Sequence, residues 1–413
     1  MILFSIPKSG SLSIIIFAYI GYQVIFNNHW STIYQIGAAY QGIVEIFSFP
    51  QEDIDGCIAA YKYLQQGTSD LANKNSDSEI ETEHVRKYYL VLQPLLRIGD
   101  IEKMYIPPQI DPKKGLYENQ LLHEKQVFEK LDAYYRGGRV GGEGGKALGG
   151  VPLSGGKSAS GGGSGSGSGR RYLIGNPDSH LLDIGCGSGR IAHHAADVIG
   201  GKVSGFNIDG NQIKSAVDFA EKIGWNQSRL EFKVGDHHKR FEYSDNSFDA
   251  SFSFQALWPF IKINQLDSVA REVFRVLKPG GIYGCEEYLL TPEFDKNNEY
   301  HMHLHNLYLP TLAATQSNYP KDVTDALERA GFEILMSAPS VAPAWPLTDQ
   351  KTDLFLVMRQ IVIWLYRIGI LPQWMETLVN NLLLGGTAWS TAEKAKLADL
   401  NWQIFVRKPY IDV

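Results

Sequence analysis

The stretch Leu181-Leu182-Asp183-Ile184-Gly185-Cys186-Gly187-Ser188-Gly189 constrains this chain more than any other. A short apolar run meets three glycines at alternate positions, and a helix-compatible segment, Arg190 to Ile199, comes directly after. Glycine lets the backbone turn sharply and lets a bulky ligand lie against bare main chain. The helix start behind such a loop offers free N–H groups. Dinucleotide sites and plain strand turns use the same glycines, so the loop alone fixes a strand–turn–helix and not a ligand. Its meaning comes from the motifs downstream.

From Tyr172 to Leu290 apolar runs alternate with helical patterns. Leu181–Ile184, Lys202–Ile208, Leu230–Val234, Ala250–Phe254 and Gly281–Tyr288 are the candidate strands. Regular alternation predicts a parallel sheet covered on both faces. Thr291 to Val413 mixes helices with two late strands, Phe332–Met336 and Trp402–Val406, the latter read as an antiparallel hairpin edge.

The strand ends carry polar signals at the intervals a nucleoside site needs. In a doubly wound sheet that binds adenosine, a polar or acidic residue at the end of the second strand takes the ribose hydroxyls. Here that place holds Asn207, with Asp209 and Gln212 just beyond, where most methyltransferases carry an acid. Gly235-Asp236-His237 lies just past the third strand; Asp236 is expected to accept from an adenine amino group, a helix cap being its alternative role. Ser244–Asp249 and the turn Leu277-Lys278-Pro279-Gly280-Gly281 complete the series. Together these motifs predict a class I methyltransferase, an α/β Rossmann-like doubly wound fold with S-adenosylmethionine as cofactor. The expected cofactor residues are Asp183, Gly185, Cys186, Gly187, Gly189, Asn207, Asp209, Gln212, Gly235, Asp236, His237 and Gln255.

A net charge of −6 with no basic stripe argues against a nucleic-acid partner. The three cysteines, Cys57, Cys186 and Cys285, are odd in number and far apart, which suggests a reducing compartment without a disulfide framework or zinc site. Residues 1–30 contain the uncharged run Leu12–Phe26, slightly short of the roughly 20 residues that span a bilayer. It reads as a membrane anchor, with a signal segment or a buried helix as alternatives. Residues 31–136 read as a helical lid region: Asp53–Leu64, Glu83–Leu92 and Leu121–Tyr135 have apolar residues at helical spacing, with a polar break at Gly67–Glu81 and an extended Tyr105-Ile106-Pro107-Pro108. Residues 137–170 collapse into glycine and serine and read as a disordered insertion. Its Gly155-Gly156-Lys157-Ser158 lacks the upstream glycine, strand and helix of a phosphate loop. Residues 171–290 form the cofactor core and 291–413 a C-terminal region.

Several segments resemble the sterol C-24 methyltransferases and their squalene-methylating relatives. Gly205-Phe206-Asn207-Ile208-Asp209 with Asn211-Gln212-Ile213 is similar to that family's second-strand segment, and Glu286-Glu287-Tyr288-Leu289-Leu290-Thr291 to its Tyr-Glu-Trp-x-x-Thr motif. Ala344-Trp345-Pro346-Leu347, Phe405–Pro409, Val85–Val91 and Glu118–Glu124 add to the likeness, which covers about Glu83 to Pro409. The chain departs from the family at Gly99–Ile106, at Gln255–Phe260 and at Glu286-Glu287-Tyr288, positions that line the family's sterol pocket. The resemblance implies a C-terminal lipid-binding extension, a sterol or triterpenoid substrate, and association with the membrane of the endoplasmic reticulum, catalytic domain facing the cytosol. It also implies attack of an alkene on a sulfonium methyl, without metal, followed by loss of a proton from a lipid cation. Glu287 is then expected to stabilise charge or take the proton; Tyr288, Trp258 and Tyr105 are expected to face the cation. Another lipid or quinone-like acceptor, or a catalytically silent lipid- and S-adenosylmethionine-binding protein, are the competing readings.

Two remaining clusters draw a plainer interpretation. His301-x-His303-x-His305 would share a face on a strand, but it lacks nearby ligands and reads as a polar segment. The apolar Leu354–Leu371 reads as a helix that docks on a bilayer or closes the lipid pocket.

Overall fold

The computed structural model describes residues 45, 48–70, 83–92, 103, 105–137, 172–314, 316–345, 363–364, 366–369 and 373–410. The apolar run Leu12–Phe26, the glycine- and serine-rich insertion beyond Gly137 and most of Leu354–Leu371 lie outside them. Among the described residues no helix is long and apolar enough to cross a membrane.

Seven strands form one sheet: β1 (His180–Ile184), β2 (Lys202–Asn207), β3 (Leu230–Val234), β4 (Phe248–Phe254), β5 (Leu277–Leu290), β6 (Glu333–Ala338) and β7 (Ala398–Arg407). Their spatial order is β3-β2-β1-β4-β5-β7-β6. The first five are parallel, and β7 runs antiparallel to both β5 and β6. The expected edge strand is therefore not an edge. β7 is ten residues long and mostly buried, which suits a sheet interior, whereas β6 is half exposed and takes the rim.

Strand side chains alternate between faces, and the core divides accordingly. Leu182 and Ile184 join Phe248, Val269 and Val273 on one side, the last two from helix α6 (Leu266–Val276). Leu181 joins Val203 and Phe252 on the other, beneath Val127, Phe128 and Leu131 of α3 (Leu116–Tyr135) and Ala192 and Ala195 of α4 (Arg190–Ile199). Asp132 of α3 accepts from the amides of Leu173 (2.6 Å) and Ile174 (3.1 Å), which fixes this helix to the chain entering β1.

Two earlier helices, α1 (Gln51–Asp70) and α2 (83–92), pack through Cys57, Leu64, Tyr88 and Val91 against Ala313 and Leu378. α1 continues to Asp70, past the start of the expected polar break. Helix α5 (Gly210–Lys222) comes after β2, and α7 (Glu299–Tyr308), α8 (Pro320–Arg329) and α9 (Gln373–Lys394) belong to the C-terminal part. The three histidines lie on α7, not on a strand. Residues two apart on a helix are turned by roughly 200° from one another, so they share no face. His305 is buried against Phe294, while His301 accepts from the Asp295 amide at 3.0 Å.

Candidate active site

A cleft opens at the carboxyl ends of β1, β2 and β4, where a doubly wound sheet holds its ligand. Gly185 (φ 78°), Gly187 (φ 53°) and Gly189 (φ 75°) are all left-handed, so all three turns need glycine. Their surroundings differ. A Cβ on Gly189 would lie 2.7 Å from the Phe232 ring and 2.8 Å from Ala216; one on Gly185 would lie 2.6 Å from Ala256. On Gly187 the nearest atom is Gln212 Oε1 at 3.2 Å, so the middle glycine keeps an open cradle. Asp183 sits beneath the loop and does not line the cleft. It is buried and accepts from the Ala192 amide in the first turn of α4, and burial pushes its carboxyl well above the usual range.

Gly185, Cys186, Gly187, Asn207, Asp209 and Gln212 line the cleft together. Asn207 donates from Nδ2 to Gln212 Oε1 at 3.2 Å, and Asp209 caps α5 by accepting from the Asn211 amide at 2.9 Å. The second Asp209 oxygen is buried without a partner, a group left for a hydroxyl donor. Glycine cradle, capped strand end and spare carboxylate oxygen fit an adenosyl cofactor. After β3, Gly235 and His237 line the cleft with Phe206, Ile208, His238 and Phe260. Asp236 does not: it accepts from the His238 amide at 2.9 Å and lies 3.0 Å from His238 Nδ1. Burial opposes its ionisation, but those hydrogen bonds hold its carboxyl below the usual range. Oδ1 of the residue expected to meet adenine is thus engaged in a local turn with His238. Burial lowers the His237 pKa, keeping its ring neutral.

The opposite wall comes from the N-terminal part and the end of β4. Val85, Arg86, Tyr89, Lys103 and Tyr105 face Phe254, Gln255 and Ala256 across the opening. Gln255, itself at φ 47°, holds Ile106 through both backbone groups and also donates to the Leu400 carbonyl at 3.0 Å. Behind this wall Glu124 collects Lys103, Tyr105 and His194 on one buried carboxylate. Burial opposes its charge, yet His194 and Lys103 hold its pKa below the ordinary value. Sequence reasoning names Tyr105 and places Glu124 in a family-like segment, but nothing in it joins them to Lys103 and His194.

Three expected catalytic residues lie outside the cleft. Glu287 is fully buried, accepting from the Ser253 hydroxyl (2.6 Å) and the amides of Ala256 (3.0 Å) and Leu257 (3.3 Å); burial pushes its carboxyl up to about 8. It braces the β4 turn and does not line the cleft. Trp258 is buried in the core with its ring 6.2 Å from that of Tyr283. Tyr288 spends its hydroxyl on Tyr308 and Ser317, both 2.7 Å away, and packs edge-on against Trp389. Only Tyr105 of the expected aromatics lines the opening. Glu286 points toward α3, 3.2 Å from His123 Nε2.

A family profile described as a methyltransferase domain matches residues 176–331. The sterol 24-C-methyltransferase ERG6B of Gibberella zeae is 30% identical over 266 residues, 58% of this chain and 68% of that protein. Squalene methyltransferase 1 of Botryococcus braunii is 30% identical over 230 residues, 52% of this chain and 60% of that protein. The cyclopropane synthase MmaA2 of Mycobacterium tuberculosis shares the fold, with a TM-score of 0.52 at 14% identity, covering 74% of this chain and 90% of that one. The chain spans 65% of the length of the sterol methyltransferase of Aspergillus fumigatus and 51% of that of Gibberella zeae ERG6A.

Proposed function

Since the chain belongs to the sterol 24-C-methyltransferase family, as a divergent member, we propose that it is an S-adenosylmethionine-dependent C-methyltransferase acting on an alkene of a sterol or related triterpenoid. The observation that carries this reading is the cleft itself, which joins a glycine-lined polar wall to the rings of Tyr89, Tyr105, Phe254 and Phe260. Main chain at Gly185, Cys186 and Gly187 cradles the methionyl part, Asn207, Asp209 and Gln212 take the ribose, and Gly235, His237 and His238 border the adenine. Asp183 and Gly189 hold the loop from behind, and Gln255 fixes the wall above it.

Bound there, the cofactor supplies an electrophilic methyl on a sulfonium, a good leaving group that needs no metal. The chain aligns the alkene with that methyl and keeps water out, and such positioning supplies most of the rate. Tyr105 and Phe254, ring centroids 5.4 Å apart, present aromatic faces that stabilise a lipid cation without capturing it. The acceptor is nearly insoluble, so we also propose attachment to the endoplasmic reticulum membrane through Leu12–Phe26, with the catalytic part in the cytosol. A chain starting at Ser31 should leave the membrane fraction and still bind cofactor.

The test is purified protein with labelled S-adenosylmethionine and a panel of squalene, a Δ24 sterol, a tocopherol-like ring and an unsaturated fatty acyl lipid. Label in the sterol or squalene supports the reading. Label only in the ring or acyl lipid moves the acceptor, and cofactor binding without transfer leaves a silent binding protein.

A further inference from the structure

Behind the cleft wall the fold buries a charged chain that alignment of an alkene does not require. Glu124 of α3 has no exposed side-chain surface, yet both its carboxylate oxygens are occupied twice. Oε1 accepts from the Tyr105 hydroxyl at 2.8 Å and from Lys103 Nζ at 2.7 Å. Oε2 accepts from Lys103 Nζ at 2.6 Å and lies 2.6 Å from His194 Nδ1, on α4. Tyr105 lines the cleft, whereas His194 keeps 17% of its side chain exposed. An unbroken hydrogen-bonded line therefore runs from the cleft wall, through the helix layer, to solvent.

We propose that Tyr105, Glu124 and His194 form a proton relay that drains the acid released by the reaction, an inference that rests on the C-methylation reading above. Methyl addition leaves a cation on the lipid. A neighbouring C–H bond then breaks, its electron pair forms the new C=C bond, and the proton goes to the Tyr105 oxygen. The phenol passes its own proton to Glu124, Glu124 passes one to His194 Nδ1, and Nε2 releases one to solvent. One methyl cation enters the lipid and one proton leaves, with no change of redox state. A carbocation is so strong an acid that a weakly basic phenol oxygen suffices when a better acceptor stands behind it. Lys103 is a positioning residue that offsets the buried charge of Glu124. A staple between the wall and α3 would need Lys103 and Glu124 alone; the extension to a partly exposed imidazole is what the relay adds.

The test uses the full chain with squalene and a Δ24 sterol as probes. It reads turnover, product identity, S-adenosylhomocysteine affinity by calorimetry and melting temperature. Tyr105→Phe and Glu124→Gln should lose on the order of 10²-fold in turnover, and His194→Ala about tenfold, with cofactor affinity unchanged. Added imidazole should restore the His194→Ala variant, and methylated alcohol from capture of the cation by water should appear among its products. Glu124→Gln removes a buried carboxylate that Lys103 pairs with and so tests folding as well, which leaves the decision to the partly exposed His194. Wild-type turnover in His194→Ala and Tyr105→Phe would overturn the relay. So would a loss that tracks cofactor affinity or melting temperature and ignores imidazole. A wild-type chain that binds S-adenosylhomocysteine but methylates neither probe would overturn the C-methylation reading and the relay with it.

Discussion

Gln255 grips Ile106 as a neighbouring strand would, its Oε1 accepting from the Ile106 amide at 3.2 Å and its Nε2 donating to the Ile106 carbonyl at 2.9 Å. The same Nε2 donates to the Leu400 carbonyl, so one side chain ties the cleft wall to the ends of β4 and β7. Its φ of 47° costs about 1 kcal/mol or more in a residue other than glycine. The strain is offset by three backbone contacts that no smaller side chain reaches.

Gln255→Ala should therefore free the wall at Ile106 more than it harms the sheet. Leaving the part-buried Ile106 amide unpaired costs roughly 1–3 kcal/mol. The expected result is a lower melting temperature together with a weaker calorimetric affinity for S-adenosylhomocysteine, by about tenfold if 1.4 kcal/mol of that loss falls on the bound state. Unchanged affinity would show that the clasp holds the wall without shaping the site.

The glycines of the loop should separate stability from binding. Gly187→Ala and Gly189→Ala share the backbone cost of a left-handed residue, about 1–2 kcal/mol. At 189 the new methyl also meets Phe232 and Ala216 at under 3 Å, in a packed region that cannot yield. At 187 it meets only the far end of Gln212. Gly189→Ala should lower the melting temperature clearly more than Gly187→Ala, whereas Gly187→Ala should weaken S-adenosylhomocysteine binding with the fold retained. Equal losses of both properties in both variants would remove the distinction between cradle and packing glycine.

The sheet is legible in the sequence because the apolar runs end at turn residues and those of β1 and β2 lead straight into helices, whereas β3 passes to β4 through turns alone. The cleft residues from Gly185 to Gln212 are legible because a ligand lying on main chain demands glycines and polar strand ends at fixed places. Facing direction is not legible in the same way. Glu286 and Glu287 turn to opposite faces, toward His123 and Ser253, and the pairing with β7 is irregular between Glu287 and Leu289, next to Tyr288. Asp236 is claimed by His238 only two residues on, the local side-chain-to-backbone turn that aspartate favours, and it competes with any ligand. Lys103, Glu124 and His194 come from three separate segments, brought together only by the packing of α3 against α4 and of the cleft wall against α3.

Glu287 offers the clearest pH signature. Burial holds its carboxyl protonated up to about pH 8 in the folded chain, against an ordinary value of 4.5 for an exposed glutamate. Between these limits the unfolded chain has given up a proton that the folded chain keeps. Stability therefore falls as pH rises through this window and levels off above it, a loss of up to roughly 5 kcal/mol. Glutamine cannot ionise, and it fits the same partners. Its carbonyl accepts from the amides of Ala256 and Leu257, and its NH2 donates to the Ser253 oxygen. Glu287→Gln should thus be about as stable as wild type at pH 5 and more stable at pH 8.5, with turnover little changed because the side chain lies outside the cleft. Melting temperatures of the two proteins across that range decide the matter. Parallel curves would mean that Glu287 is already ionised in the folded chain, stabilised by Ser253 and the two amides against its burial.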